Sequence, residues 1–225
     1  MLKKLLNLFK KQGQASAKLP SKSRPKKPKV EAARIGEIGE HKINIQLDQL
    51  PKDCRYVSDL FIPNPKSRTG YSQIDHVVIS PYGLFVIETK NYNGEIKGGR
   101  TDKFWTVGSR FKLYNPLFQN YGHIAALKHL LLPFESVKFV SMISFTMRCR
   151  FSIDPELRKI QSDELIVYDV ELSEYIVRKL NRLKAECEEP PLSADNIRQI
   201  FELMTSAHIA DPAIRSKHIQ RIRSK

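Results

Sequence analysis

The chain has 225 residues, 41% hydrophobic and 28% charged, enough for one domain with a full core plus appendages. No apolar run approaches the roughly 20 residues of a membrane span, and Cys54, Cys149 and Cys187, widely spaced and without a Cys-x-x-Cys pair, point to reduced thiols of a cytoplasmic protein rather than a disulfide frame or zinc site. The net charge of +14 is unevenly placed: residues 1–30 hold ten Lys or Arg and no acid, while the remainder carries 28 basic and 24 acidic side chains, so the basic signal is mostly that of a tail.

Leu2, Leu5, Leu6 and Phe9 stand at helical spacing among lysines. This predicts a basic amphipathic helix over 1–11, suited to the anionic inner face of the cell membrane; a disordered basic leader is the alternative. Asn7 interrupts the apolar stretch, which argues against a secretory signal. Residues 12–30, rich in Gln, Ser, Lys and Pro, read as a flexible basic linker.

The domain core is expected over 31–150. A helix over 32–50 carries Ile43, Leu47 and Leu50 on one stripe and is closed by Pro51. Strands follow at 56–62, 74–80 and 84–90, the last two joined by Ser80-Pro81-Tyr82-Gly83. Lys103–Val107 and Arg110–Tyr114 form a hairpin around Gly108-Ser109, Asn115-Pro116 opens a helix to about Leu132, and Val137–Phe145 is a further strand. A β/helical extension over 151–208 supplies a strand at Glu164–Tyr168 and helices at 171–185 and 193–208. Residues 209–225 read as a basic tail, its amphipathic stretch Ile214–Arg223 a frayed surface helix or a contact for nucleic acid or a partner. The order α-β-β-β-(hairpin)-α-β plus C-terminal helices predicts an α/β fold, a central mixed β-sheet flanked by helices.

The chemistry concentrates on Asp75 and Glu88-Thr89-Lys90. Strand alternation puts Glu88 and Lys90 on one face, and the turn at 80–83 folds Asp75 back toward Glu88. Two carboxylates and an ammonium at a sheet end suit a hard divalent cation with a phosphate or a polarised water. On an ordinary exposed strand the same Glu-x-Lys pair is a weak surface ion pair. Here the charges flank Val77-Val78-Ile79 and Leu84-Phe85-Val86-Ile87, where they are costly unless paired or functional.

An acid on the first helix, Asp75 on the second strand and Glu-x-Lys on the third resemble the PD-(D/E)XK nuclease superfamily, with its restriction-endonuclease-like core. More narrowly, Gly39-Glu40, the block from Gln73 to Gly83, Phe85 to Gly94, Trp105 and Asn115 to Asn120 resemble a nuclease-related domain (NERD) protein over about residues 34–130. Ile74 stands where the motif's proline would be. The resemblance implies a bacterial, metal-dependent deoxyribonuclease. Asp75, Glu88, the Thr89 carbonyl and Glu40 would hold Mg²⁺ or Mn²⁺, and Lys90 would orient water or stabilise developing phosphate charge. Glu37, one turn from Glu40, is the competing helix carboxylate.

Gln119 is the matched polar residue of the second helix and a candidate contact for Lys90, water or phosphate; a glutamine satisfying backbone groups is the alternative. His123, one turn beyond, would support the site from behind. His76 points away from Asp75 and reads as a packed histidine. Trp105 and Tyr92 are candidates for stacking on a base, Trp105 also for the core. Lys66, Arg68, Lys97 and Arg100 would steer the DNA backbone. The rival expectation is a catalytically silent nucleic-acid-binding or membrane-tethered adaptor. No ATP-driven motif accompanies the domain, so a processive role implies a helicase or repair partner.

Overall fold

The computed structural model describes residues 32–224 apart from Arg110 and Glu135, and excepting the side chains of residues 32–38, Glu40 and Arg223. The helix expected over 1–11 and the linker expected over 12–30 lie outside the described residues. In chain order, α1 (Ala32–Leu47) precedes β1 (Arg55–Pro63), β2 (Tyr71–Ser80) and β3 (Gly83–Lys90). Then come β4 (Gly94–Gly98), β5 (Phe104–Val107), β6 (Phe111–Tyr114) and α2 (Pro116–Leu130). β7 (Phe139–Phe145), β8 (Cys149–Ile153), β9 (Glu164–Tyr168), α3 (Leu172–Ala185), α4 (Ala194–Ala207) and α5 (Pro212–Arg223) complete the fold.

The expected mixed sheet has the order β1-β2-β3-β7-β9, antiparallel from β1 to β3 and parallel from β3 to β9. Its central strand β3 is apolar on both faces because both are covered. Leu84 and Val86 join Leu127 of α2 and Ile200 of α4, whereas Phe85 and Ile87 join Ile43 of α1 and Ile176 of α3. The β2–β3 turn is fixed at Gly83, whose φ of 138° suits glycine and where an added Cβ would lie 2.6 Å from the Lys138 carbonyl oxygen. The register fixed by that turn runs from Ser80↔Gly83 to His76↔Ile87, so one further step would set Asp75 opposite Glu88.

The predicted hairpin is half of a second sheet, β6-β5-β4-β8, in which β4 and β8 pair in parallel. Neither β4 nor β8 was expected. Each is five residues long, and β4 is bounded by Gly94 and Gly98, residues that normally punctuate rather than build strands. Gly98 is there for contact: a Cβ on it would come within 2.2 Å of Trp105 Cδ1. Trp105 itself is fully buried, with its indole N–H donated to the Gly99 carbonyl at 2.9 Å. It is core, not a base-stacking residue.

The C-terminal basic segment is a docked helix rather than a frayed tail. Asp211 caps α5 by accepting from Ala213 N, with Pro212 in the first turn. His218 is buried against the rings of Phe61 and Tyr71, and Arg215 forks onto Asp59 at 2.8 and 2.6 Å. Just ahead of α5, Ile209 N donates to the Phe61 carbonyl and Phe61 N donates to His208 Nδ1, which covers part of the outer edge of β1.

Candidate active site

Asp75 sits where the β2–β3 ladder ends. Its Oδ2 accepts from Thr89 N at 2.7 Å and Thr89 Oγ1 at 2.6 Å, replacing the strand partner that β2 no longer supplies. A strand residue aims its N–H and C=O to the same side, so the Thr89 carbonyl also lies on the β2 side, beyond the last ladder pair. The facing of both strands changes nearby. Val57, Leu60 and Ile62 of β1 all join one core, as do Ile74, Val77 and Ile79 of β2, so strict alternation fails between them. Asp59, with φ of 51°, lies at that break in β1.

Glu88 is buried, and its two oxygens have different fates. Oε1 receives Lys90 Nζ at 2.5 Å and Gln119 Nε2 at 2.7 Å, while Gln119 Oε1 accepts from the same Lys90 Nζ at 2.9 Å. Oε2 has His123 Nε2 at 3.3 Å, close enough for an ion pair yet outside hydrogen-bond geometry, and so remains a buried oxygen without a hydrogen bond. The helix carrying Gln119 and His123 is held in place by two buried asparagines. Asn115 caps α2 and donates to the Arg100 and Asp102 carbonyls; Asn120 donates to the Val86 carbonyl and Ser141 Oγ.

Electrostatics separates the two carboxyls. Burial and the Glu88 charge push Asp75 up to about 7, against the Thr89 hydrogen bonds and Lys90. Burial would raise Glu88 as well, but Lys90 and His123 outweigh it and hold that carboxyl down to about 2. Burial works against the Lys90 ammonium, yet Glu88 raises it above its ordinary value. Two clefts meet at Asp75 and Glu88. One of about 240 Å³ is bordered by Gly39 and Ile43 of α1, with the unpartnered Ser144 Oγ among its residues. The other, of about 940 Å³, runs past Gln119 and His123 of α2 to Arg68, β6 and α5.

The nuclease-related domain family model matches residues 35–146, the stretch that carries α1, the β2–β3 pair and α2. This stretch belongs to the nuclease-related domain family. Membership of the nuclease superfamily is a general property of that family. An uncharacterised protein of Bacillus anthracis is 29% identical over 196 residues, covering 84% of each chain. No solved structure matches the chain.

Within the nuclease-related domain, Asp75, Glu88, Thr89, Lys90 and Gln119 come together. Glu40 follows Gly39, which borders the smaller cleft, but the side chains of Glu37 and Glu40 lie outside the described residues. Arg68 lines the larger cleft, and Lys66 is exposed on the same loop. Lys97 and Arg100 do not face the site. Lys97 pairs with Glu95 at 3.1 Å and Arg100 with Glu164 at 3.0 Å, and neither lines either cleft. Alternation on β4 carries Lys97 away from the buried Ile96, and this strand was not visible from the sequence.

His76 is buried, with Nε2 2.9 Å from Asn44 Oδ1, and burial lowers it to about 4. Sequence reasoning gave no role to Asn115, Asn120 or Ser144; the Asn-Pro helix start was the available signal for the first. Burial pushes the Cys54 thiol up to about 12, helped by Asp53, and Cys149 up to about 11, so neither is a thiolate nucleophile. Among the described residues no helix is long and apolar enough to cross a membrane.

Proposed function

We propose that the chain is a Mg²⁺- or Mn²⁺-dependent nuclease that hydrolyses DNA phosphodiester bonds at Asp75, Glu88 and Lys90. The observation that carries this reading is the unpartnered Glu88 Oε2, buried beside Asp75 at the junction of two clefts. An all-oxygen set made of Asp75, Glu88 and the Thr89 carbonyl suits a hard cation, with Glu40 as a further ligand from α1. The raised Asp75 carboxyl supports the same fit, since a bound positive charge would relieve its repulsion with Glu88. When bound, the cation supplies Lewis-acid stabilisation of phosphate charge.

The chain's own residues do the rest. Lys90, held by Glu88 and Gln119, presents a fixed positive charge for the negative charge that builds on phosphate. Gln119 bridges both partners and keeps Lys90 from swinging away. His123 adds a ring nitrogen beside Glu88 Oε2, and Arg68 and Lys66 steer the phosphate backbone toward the larger cleft.

One observation favours the rival reading of an adaptor that binds without turnover: among the described residues no three His, Cys, Asp or Glu side chains converge as a metal cluster. Incubating purified protein with linear, circular and single-stranded DNA, in Mg²⁺, Mn²⁺ or EDTA, separates the two. Metal-dependent products lost in Asp75→Ala support the nuclease. DNA retention without products under every metal supports the adaptor.

A further inference from the structure

The larger cleft has an aromatic wall that the proposed hydrolytic chemistry does not use. Edge strand β6 lines it along its whole length, from Phe111 to Tyr114. Phe111 is 53% exposed and packs against Tyr92 with ring centroids 5.7 Å apart. Tyr114, 42% exposed, packs against Phe118 of α2 at 6.3 Å. Exposed aromatics of this size are expensive to leave in water, and those in the cleft form two paired stations rather than scattered residues. The stations are three strand residues apart, about 10 Å at the strand rise, which is the span of about three nucleotides stacked at 3.4 Å.

Charge points the same way. Apart from Asp75 and Glu88, the acidic and basic side chains lining this cleft are Arg68 and Lys112, both cationic. A groove that combines cations for phosphates with open aromatic faces for bases is complementary to a single strand, because a duplex keeps its base faces stacked.

We infer that Tyr92, Phe111, Tyr114 and Phe118 form a base-stacking platform that guides single-stranded DNA to Asp75 and Glu88; as a statement about substrate it rests on the nuclease reading above. Arg68 and Lys112 hold the backbone without regard to sequence, and the aromatic stations select strands whose bases are free.

The test uses the full chain in EDTA, so that binding is read without cleavage. Fluorescence anisotropy compares an oligothymidine strand, an abasic strand of equal length and a blunt duplex. The wild-type chain should bind the base-bearing strand about tenfold or more tighter than the abasic one, since stacking on aromatic side chains is worth about 1–3 kcal/mol per base. Phe111→Ala/Tyr114→Ala should erase that preference while keeping the salt dependence. Tyr121→Ala, an exposed aromatic outside the cleft, should leave it intact. Lys112→Ala should weaken base-bearing and abasic strands alike.

Thermal melting of each variant checks that the fold is retained; should the double variant unfold, Phe111→Leu replaces it. Equal affinity for base-bearing and abasic strands overturns the platform. So does a base preference that survives the aromatic substitutions, or a double variant that changes only self-association in sedimentation. Cleavage assays read the nuclease separately: metal-dependent products without base preference would sink the platform alone, and base preference without products would sink the nuclease alone.

Discussion

Asp75 and Thr89 share two hydrogen bonds, at 2.7 and 2.6 Å, across the point where β2 and β3 stop pairing. A side chain thus completes the strand edge and holds the acid against the Glu88-Thr89-Lys90 segment. Thr89→Val keeps the shape and the backbone bond but removes the hydroxyl. A loss of about 1.4 kcal/mol of positioning corresponds to about a tenfold fall in cleavage rate. The expected result is that fall with a nearly unchanged melting temperature; unaltered cleavage would remove the hydroxyl from the site.

Lys90 and Glu88 are a buried pair, and breaking it from one side should be worse than removing it. Lys90→Met leaves the Glu88 carboxylate without its counter-charge and should destabilise the chain by about 3 kcal/mol. Glu88→Gln/Lys90→Met should recover part of that loss. Urea unfolding of the two single variants and the double gives the coupling directly, and additive effects would contradict the pairing.

The two carboxyls should respond to pH with opposite signs. Asp75, raised from 3.8 to about 7, binds a proton more tightly folded than unfolded. Its contribution is complete below about pH 4 and is lost as pH rises through 7. Glu88, lowered from 4.5 to about 2, contributes above about pH 4.5 and loses that contribution as pH falls toward 2. A cation needs Asp75 ionised, so Mg²⁺ or Mn²⁺ should raise the melting temperature more at about pH 8 than at about pH 6. Equal shifts at both, or an undiminished shift in Asp75→Asn, would contradict this site.

Gly98 should tolerate no side chain. The Cβ of Gly98→Ala would fall 2.2 Å from Trp105 Cδ1, and that ring is fully buried with its N–H committed to Gly99. Overpacking of this kind costs about 1–3 kcal/mol. Chemical denaturation should show it, whereas Gly99→Ala, whose nearest neighbour is the Asp102 carboxylate at 3.3 Å, should be milder.

What the sequence made legible was local. Alternation and turn chemistry placed β2 and β3, and their register leads directly to Asp75 facing Glu88. The Asn115-Pro116 start placed α2 and with it Gln119. Contacts distant in the chain were not legible. β4 and β8 pair across more than fifty residues in strands too short to show a period, so Lys97 and Arg100 could not be assigned a side. The docking of α5 depends on Phe61, Tyr71 and Asp59, none of which marks itself as a helix receptor. The mismatch of His123 with Glu88 Oε2 follows from how α2 crosses β3, which no spacing rule encodes.

The most direct test of the account is a time course of DNA cleavage by the wild-type chain and Lys90→Ala, side by side in Mg²⁺ or Mn²⁺, with fold and DNA binding checked for both. The account predicts products from the wild type alone, abolished by EDTA, while the variant still binds DNA. Equal products from both proteins, or a wild type that binds DNA and never cuts it, would contradict it.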